Sequence, residues 1–214
     1  MKTERRISGG NEIVFKRYRS YEAYIAHQKS KVPRGSLLHQ SLSKGGTSWE
    51  PDCAGFRTIF KSNKDLVSLI STFKNALCLG ARTGQEVFVL QELGIKNAVG
   101  IDLNDDPPLV VEGDVHSLQF DDSSFDFVFS NIFDHVLYPD KFISEIERVV
   151  RPNGYCLLHV DGSKSMDEYS ANQLYDVRYP ITLFKKDIDI IKEGKLKLDF
   201  QWPDFTEFLI KIKE

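Results

Sequence analysis

Four stretches of the chain place small or polar residues directly after an apolar run, where side chains or backbone amides could meet a ligand. They are Gly80-Ala81-Arg82-Thr83-Gly84, Asp102-Leu103-Asn104, Gly113-Asp114-Val115-His116 and Ser130-Asn131-Ile132-Phe133-Asp134-His135. Glycines at 80 and 84 let backbone approach a ligand with no Cβ in the way. A carboxylate at Asp102, twenty-two residues beyond Gly80, can accept both hydroxyl protons of a ribose. Asp114 can accept a hydrogen bond from an exocyclic amine such as that of adenine. Together they suit a nucleoside. A dinucleotide fingerprint needs G-x-G-x-x-G to cradle a pyrophosphate, and counting from Gly80 the chain has Arg82 and Gln85 where two of the glycines belong. A phosphate-binding Walker pattern fails as well, because no Lys-Ser/Thr follows the glycines. What remains is an adenosyl ligand without phosphates, of which S-adenosylmethionine is the common one.

Positioning these residues requires strands that end at one edge. ALCLG (76–80), NAVGID (97–102), LVVE (109–112), FDFVFS (125–130) and YCLLHV (155–160) read as strands. Between them, 84–93 and 140–150 have apolar stripes at helical spacing, the second with Phe142, Ile143, Ile146, Val149 and Val150 on one face. Thr83 and Glu86 form a T-x-x-E pattern that predicts a capping box at the start of the first. Strands alternating with helices imply crossover connections and a parallel sheet, with ligands beyond its carboxyl edge.

The flanks are less regular. Residues 18–31 read as a helix ended by Pro33 and Gly35, and 35–55, rich in Gly and Ser, as a long loop that could serve as a lid. Asn63 predicts an N-cap for a helix over 63–74. Beyond the last parallel strand, 165–176 and 181–186 read as helices, and 188–200 with 205–213 as an antiparallel hairpin around Trp202-Pro203-Asp204.

Residues 76–160 resemble the class I S-adenosylmethionine-dependent methyltransferases. The likeness rests on Cys78-Leu79-Gly80-Ala81-Arg82-Thr83-Gly84, Val99-Gly100-Ile101-Asp102, Gly113-Asp114, Phe125-Asp126-Phe127-Val128 and Arg148-Val149-Val150-Arg151-Pro152-Asn153-Gly154. It implies a Rossmann-like α/β three-layer sandwich with seven strands, the last antiparallel, here carrying an N-terminal helical extension. The expected division is an extension at 1–62 and the methyltransferase domain at 63–214. The expected cofactor contacts are Gly80, Ala81, Arg82, Gly84, Asp102, Leu103, Asn104, Gly113, Asp114, Val115 and Asn131. Two positions depart from the family pattern. Cys78 stands where an acid usually helps to hold the methionyl ammonium, and is most simply a small buried hydrophobe. Arg82 replaces the middle glycine, and either points to solvent or pairs with the methionyl carboxylate.

Methyl transfer from a sulfonium needs an aligned nucleophile and, for some acceptors, a base. His135 and Asp134, just past the fourth strand, are the candidates, imidazole being the usual base near neutral pH. The Asn-Pro-Pro-aromatic pattern of amino-group methylation is absent; Asn131-Ile132-Phe133-Asp134 stands there instead. Tyr21, Tyr24 and Trp49 in the N-terminal part are candidates for a substrate wall.

Composition narrows the remaining classes. The 214 residues are 41% hydrophobic and 28% charged, with fifteen Phe and eight Tyr, enough to bury a core. No run of eighteen apolar residues exists and the N-terminus lacks an apolar leader, so neither a membrane span nor a secretory signal is expected. Three scattered cysteines predict neither disulfides nor a metal site, and fit a reducing cytoplasmic compartment. Residues 1–75 hold fourteen Lys/Arg against six Asp/Glu, whereas 76–214 hold fourteen against twenty-five. The basic part either docks on the acidic part or meets an acidic ligand. The leading expectation is therefore a methyltransferase with a small-molecule acceptor. An RNA methyltransferase and a non-catalytic relative that binds a partner stay open beside it.

Overall fold

The computed structural model describes residues 3–8, 11–163, 165–196 and 205–214. The chain opens with a hairpin, β1 (Thr3–Ser8) and β2 (Asn11–Lys16). Four helices follow: α1 (Tyr21–Lys29), α2 (Leu37–Leu42), α3 (Trp49–Ser62) and α4 (Lys64–Ile70). The alternating part runs β3 (Asn75–Leu79), α5 (Gln85–Glu92), β4 (Asn97–Asp102), β5 (Val110–Glu112), β6 (Phe125–Ser130), α6 (Pro139–Val149) and β7 (Val150–Asp161). The chain closes with β8 (Asn172–Leu174), α7 (Tyr179–Thr182), β9 (Ile188–Lys195) and β10 (Phe205–Ile212).

Seven strands form the main sheet in the order β5-β4-β3-β6-β7-β10-β9. The pairs β3–β4, β3–β6, β4–β5 and β6–β7 are parallel. β10 runs antiparallel between β7 and β9, as the resemblance implies. Strand order reverses around β3, which makes the tips of β3 and β6 the topological switch point where an open sheet binds ligands. Side chains alternate across the sheet because successive residues of a strand face opposite ways. Leu77 and Leu79 join the layer of α6, with Phe142, Ile143 and Ile146. Ala76 and Cys78 join the opposite layer, with Ile59 and Phe60 of α3 and Val87 and Leu90 of α5. Each fully buried Phe, Leu or Ile contributes about 1.5–3 kcal/mol, so these two layers fix the strand register from which the tips project. Among the described residues, no helix is long and apolar enough to cross a membrane.

Asn63 caps α4 as expected, its side-chain oxygen accepting from the Leu66 N–H at 3.0 Å. Four expectations need correction. The capping box does not form: the Thr83 hydroxyl donates to the Leu42 carbonyl at 3.2 Å and to Gln85 Oε1 at 2.9 Å, and Gly84 caps α5 with φ 87°. Residues 35–55 are not one loop. Ser36 caps α2, accepting from His39 N–H at 3.1 Å. Pro51 falls in the first turn of α3, where its missing N–H is harmless. Residues 165–176 are not a helix, because the Asp167 carboxylate takes the N–H groups of Tyr169 and Ser170 and turns the backbone. Asn172–Leu174 instead pairs with β2, and β1, β2 and β8 make a second, three-stranded sheet. The short helix expected at 181–186 sits earlier, at Tyr179–Thr182, started by Pro180 in its first turn. Trp202-Pro203-Asp204, read as the hairpin turn, lies outside the described residues.

Candidate active site

The loop after β3 is pinned against the tip of β4. Gly80 N–H and Ala81 N–H both donate to the Ile101 carbonyl, at 2.8 and 3.0 Å. Arg82 N–H then donates to Asp102 Oδ2 at 3.0 Å. Asp102 Oδ1 accepts from Asn104 N–H at 3.2 Å. Both oxygens are thereby aimed, and each keeps a further lone pair for a hydroxyl donor. Burial raises the Asp102 pKa, opposed by those backbone N–H groups. The loop needs left-handed backbone at Gly80, Arg82 and Gly84, with φ of 75°, 50° and 87°. At 82 a side chain tolerates what glycine would adopt freely, so the departure from the family pattern leaves the backbone path intact.

Beside these tips lies a cavity of about 590 Å³, within the range that small-ligand sites occupy. Gly80, Arg82, Asp102, Leu103 and Asn104 line it. Gly113, Asp114, Val115 and Asn131 line it too, so nine expected cofactor contacts share one hollow. Ala81 and Gly84 do not. Ala81 is fully buried in the sheet–helix layer. A Cβ on Gly84 would lie 2.7 Å from Leu109 Cβ, so that glycine serves packing and helix start, not ligand approach. Cys78 is fully buried at the centre of β3, paired between Gly100 and Phe129. Burial keeps its thiol protonated, with a pKa pushed well up.

Asp114 is held by neighbours. The Tyr138 N–H donates to His116 Nε2 at 3.2 Å, which puts the ring proton on Nδ1, and Nδ1 donates to Asp114 Oδ1 at 2.9 Å. His116 N–H adds a bond to the same oxygen at 2.8 Å, while the Tyr21 hydroxyl donates to Oδ2. Burial alone would raise the Asp114 pKa; hydrogen bonds from His116 and Tyr21 outweigh it and hold the carboxyl below its usual value. Tyr21 therefore meets the site through Asp114, stacked on Tyr138 with ring centres 5.4 Å apart, and is not among the cavity-lining residues. Tyr24 does line the cavity, and its hydroxyl donates to the His135 carbonyl at 3.0 Å. Trp49 lies elsewhere: it is buried against Phe88 of α5, ring centres 5.6 Å apart, and belongs to the core.

His135 and Asp134 both line the cavity. His135 Nδ1 donates to the Tyr169 carbonyl at 3.0 Å, so Nε2 is the acceptor of the ring. Lys31 Nζ lies 2.9 Å from that nitrogen and Asp134 Oδ2 3.3 Å. Burial, reinforced by the Arg82 charge, lowers the Lys31 pKa. Burial raises that of Asp134, opposed by His135. Lys31 was not singled out from the sequence, nor were Gln28, Asp161 and Asp167, and Glu86 was read only as half of a capping box; all five line the cavity. For two residues a signal exists: Tyr24 and Gln28 stand i, i+4 on one face of α1, whereas Lys31 lies beyond its end at Lys29. Nothing in the local pattern marks the others.

The extension is tied to the strand tips. Lys29 Nζ meets Glu112 at 2.6 Å and Arg34 meets Asp105 at 2.6 Å. Asn104 Nδ2 donates to the Lys29 and Val32 carbonyls at 2.9 and 3.1 Å. The arrangement offers two carboxylates at neighbouring tips, a left-handed loop and an exposed guanidinium at Arg82. Those groups fit a nucleoside with a zwitterionic tail.

Comparison with known proteins agrees with that chemistry. Residues 77–158 match the family model described as a methyltransferase domain. A search of the curated proteins finds no match. Among solved structures, the chain is similar to the Burkholderia thailandensis 1,6-didemethyltoxoflavin-N1-methyltransferase, solved with bound 1,6-didemethyltoxoflavin and S-adenosylhomocysteine. Identity is 12%, each chain is covered over 100% of its length, and the TM-score is 0.60. A Pyrococcus horikoshii protein is 15% identical over 81% of this chain and 95% of its own, with a TM-score of 0.55. These are likenesses of fold. Residues 77–158 thus resemble a methyltransferase domain, and the chain has the fold of the class I S-adenosylmethionine-dependent methyltransferases.

Proposed function

We propose that this chain transfers a methyl group from S-adenosylmethionine to a small-molecule acceptor, bound between the strand tips, α1 and residues 161–163 and 165–170. One observation carries the reading: Asp102 and Asp114, from consecutive strands, face one cavity that the extension roofs with Tyr24, Gln28 and Lys31. Asp102 would hold the ribose hydroxyls, Asp114 the adenine amine, and Arg82 the methionyl carboxylate. When bound, S-adenosylmethionine supplies a methyl group on a positively charged sulfur. Everything else falls to the chain. It must orient the acceptor, exclude water and remove a proton where the acceptor carries one. His135 Nε2, flanked by Lys31 and Asp134, is the nitrogen placed to take that proton, with Asp134 stabilising the imidazolium.

We read residues 1–62 as the closing extension and 63–214 as the methyl-transfer domain. The basic charges of the extension are engaged in part with acidic partners, Lys29 with Glu112, Arg34 with Asp105 and Arg57 with Glu92. That leaves fewer of them for RNA phosphates and speaks for the small acceptor. Cys53, Cys78 and Cys156 are free and buried, which suits the reducing cytoplasm. The test uses S-adenosylmethionine tritiated in its methyl group, incubated with the protein and with cell extract split into small metabolites, RNA and protein. Label should enter the small-metabolite fraction. Label entering only RNA or protein would contradict the reading.

A further inference from the structure

The family's acid for the methionyl ammonium is missing at position 78, where a buried neutral thiol stands. A carboxyl exists nearby, on a different element. Glu86 sits in the first turn of α5, is 4% exposed, and lines the cavity beside Gly80 and Arg82. Among the described residues no side chain gives it a hydrogen bond or ion pair. Gly80, two residues beyond Cys78 at the end of β3, lines the same cavity. Four groups face it: Arg82 from the loop after β3, Asp102 from the tip of β4, Asp52 from α3 and Cys78 from β3. Asp102 is already bound by two backbone N–H groups, and Arg82 is an exposed side chain with no fixed partner.

A buried carboxyl helped by only its own backbone N–H, with no side-chain partner, is costly when ionised. A ligand cation relieves that cost. We propose that Glu86 is the anion that binds the amino-acid ammonium of the cofactor, replacing the acid lost at position 78, with Arg82 on the carboxylate of the same tail. The inference rests on the adenosyl reading above and adds the charge pair that fixes the tail. Burial, opposed in part by the Glu86 backbone N–H and then by the Arg82 charge, raises the Glu86 pKa to about 8 in the ligand-free protein. Tail binding therefore requires Glu86 to lose a proton, and affinity for the tail grows as pH rises toward 8.

Calorimetry with two probes separates tail from nucleoside. S-adenosylhomocysteine carries the amino-acid tail; 5′-methylthioadenosine has the adenosine and sulfur without it. Wild type should bind both. Glu86→Gln should lose about tenfold or more for S-adenosylhomocysteine, the effect of one hydrogen bond to a charged group, and keep its methylthioadenosine affinity within about twofold. Retained methylthioadenosine binding also shows that the variant is folded. A second readout needs no variant: the ratio of the two affinities in wild type should climb between pH 6 and 7.5, and the same ratio in Glu86→Gln should stay flat. Equal S-adenosylhomocysteine affinity in wild type and Glu86→Gln, or a flat wild-type ratio, overturns the role of Glu86 and leaves the adenosyl site standing. If wild type binds neither probe, the adenosyl reading falls and this inference falls with it.

Discussion

The two halves of the cavity are built by different forces. On the strand side, Asp102 and the loop at 80–84 are set by parallel register and by backbone N–H groups, with two hydrophobic layers behind them. On the other side, α1 and residues 165–170 are held mainly by side-chain bonds, while Ala171 is bonded through its backbone to Lys16 and Asp134. Gln28 Nε2 donates to the Tyr169 carbonyl at 2.7 Å, Tyr21 bonds Asp114, and Lys29 pairs with Glu112 at the surface. The first half is fixed by the same strand pairing and packing that build the core. The second is attached through contacts each worth about 0.5–1.5 kcal/mol, and surface ion pairs less. On the proposed reading, such a fold would keep the nucleoside half constant while the acceptor half varies.

Variants can break this contrast. The largest effect should come from Trp49→Ala, which empties a core position beneath α5 and should lower stability by about 3–5 kcal/mol. Chemical denaturation measures the loss. A variant that stays stable but loses substrate would instead place Trp49 in the acceptor half. Next, Asp102→Asn should weaken S-adenosylhomocysteine by about thirtyfold to a hundredfold, two charge-assisted bonds being weakened, with unfolding almost unmoved. Glu86→Gln has its own pH signature. The folded pKa is raised to about 8, above the ordinary value of 4.5, so the carboxyl contributes no penalty at low pH. Ligand-free stability should fall as pH rises from about 4.5 through 8. In thermal scans Glu86→Gln should match wild type near pH 4.5 and exceed its Tm at pH 8; parallel curves would count against a buried, unpaired Glu86.

Smaller changes probe the clasp. Tyr21→Phe removes the hydroxyl that joins α1 to Asp114 and should cost about 1 kcal/mol. The extension should then be cut faster by trypsin while the sheet resists; equal cutting would mean that Tyr21 does not fasten it. Lys29→Ala should change stability by less than about 0.5 kcal/mol, as exposed pairs do. A loss of several kcal/mol there would make the clasp part of the core.

The same contrast explains which features were legible in the sequence. Strands β4 and β6 were readable to the residue, because a buried run and the polar tip that ends it are adjacent in the chain. Asp102 and Asp114 were readable for the same reason. The sheet β1-β2-β8 was not: Ile13 pairs with Leu174, and nothing local to either residue announces a partner so far away. Lys31 reaches His135 across a comparable gap. At Glu86 a local rule pointed to a cap, yet the Thr83 hydroxyl found the Leu42 carbonyl of α2 instead. Trp49 read as a substrate wall because 35–55 read as loop; within α3 the same indole turns inward with Cys53 and Phe56. Tertiary partners decided each of these cases.

The most direct measurement is a crystal structure of the protein grown with S-adenosylhomocysteine. The ribose hydroxyls should lie within hydrogen-bonding distance of both Asp102 oxygens, and the adenine amine should face Asp114. A nucleoside seated away from the tips of β4 and β5, or Asp102 still bonded only to the Arg82 and Asn104 N–H groups, would contradict the account.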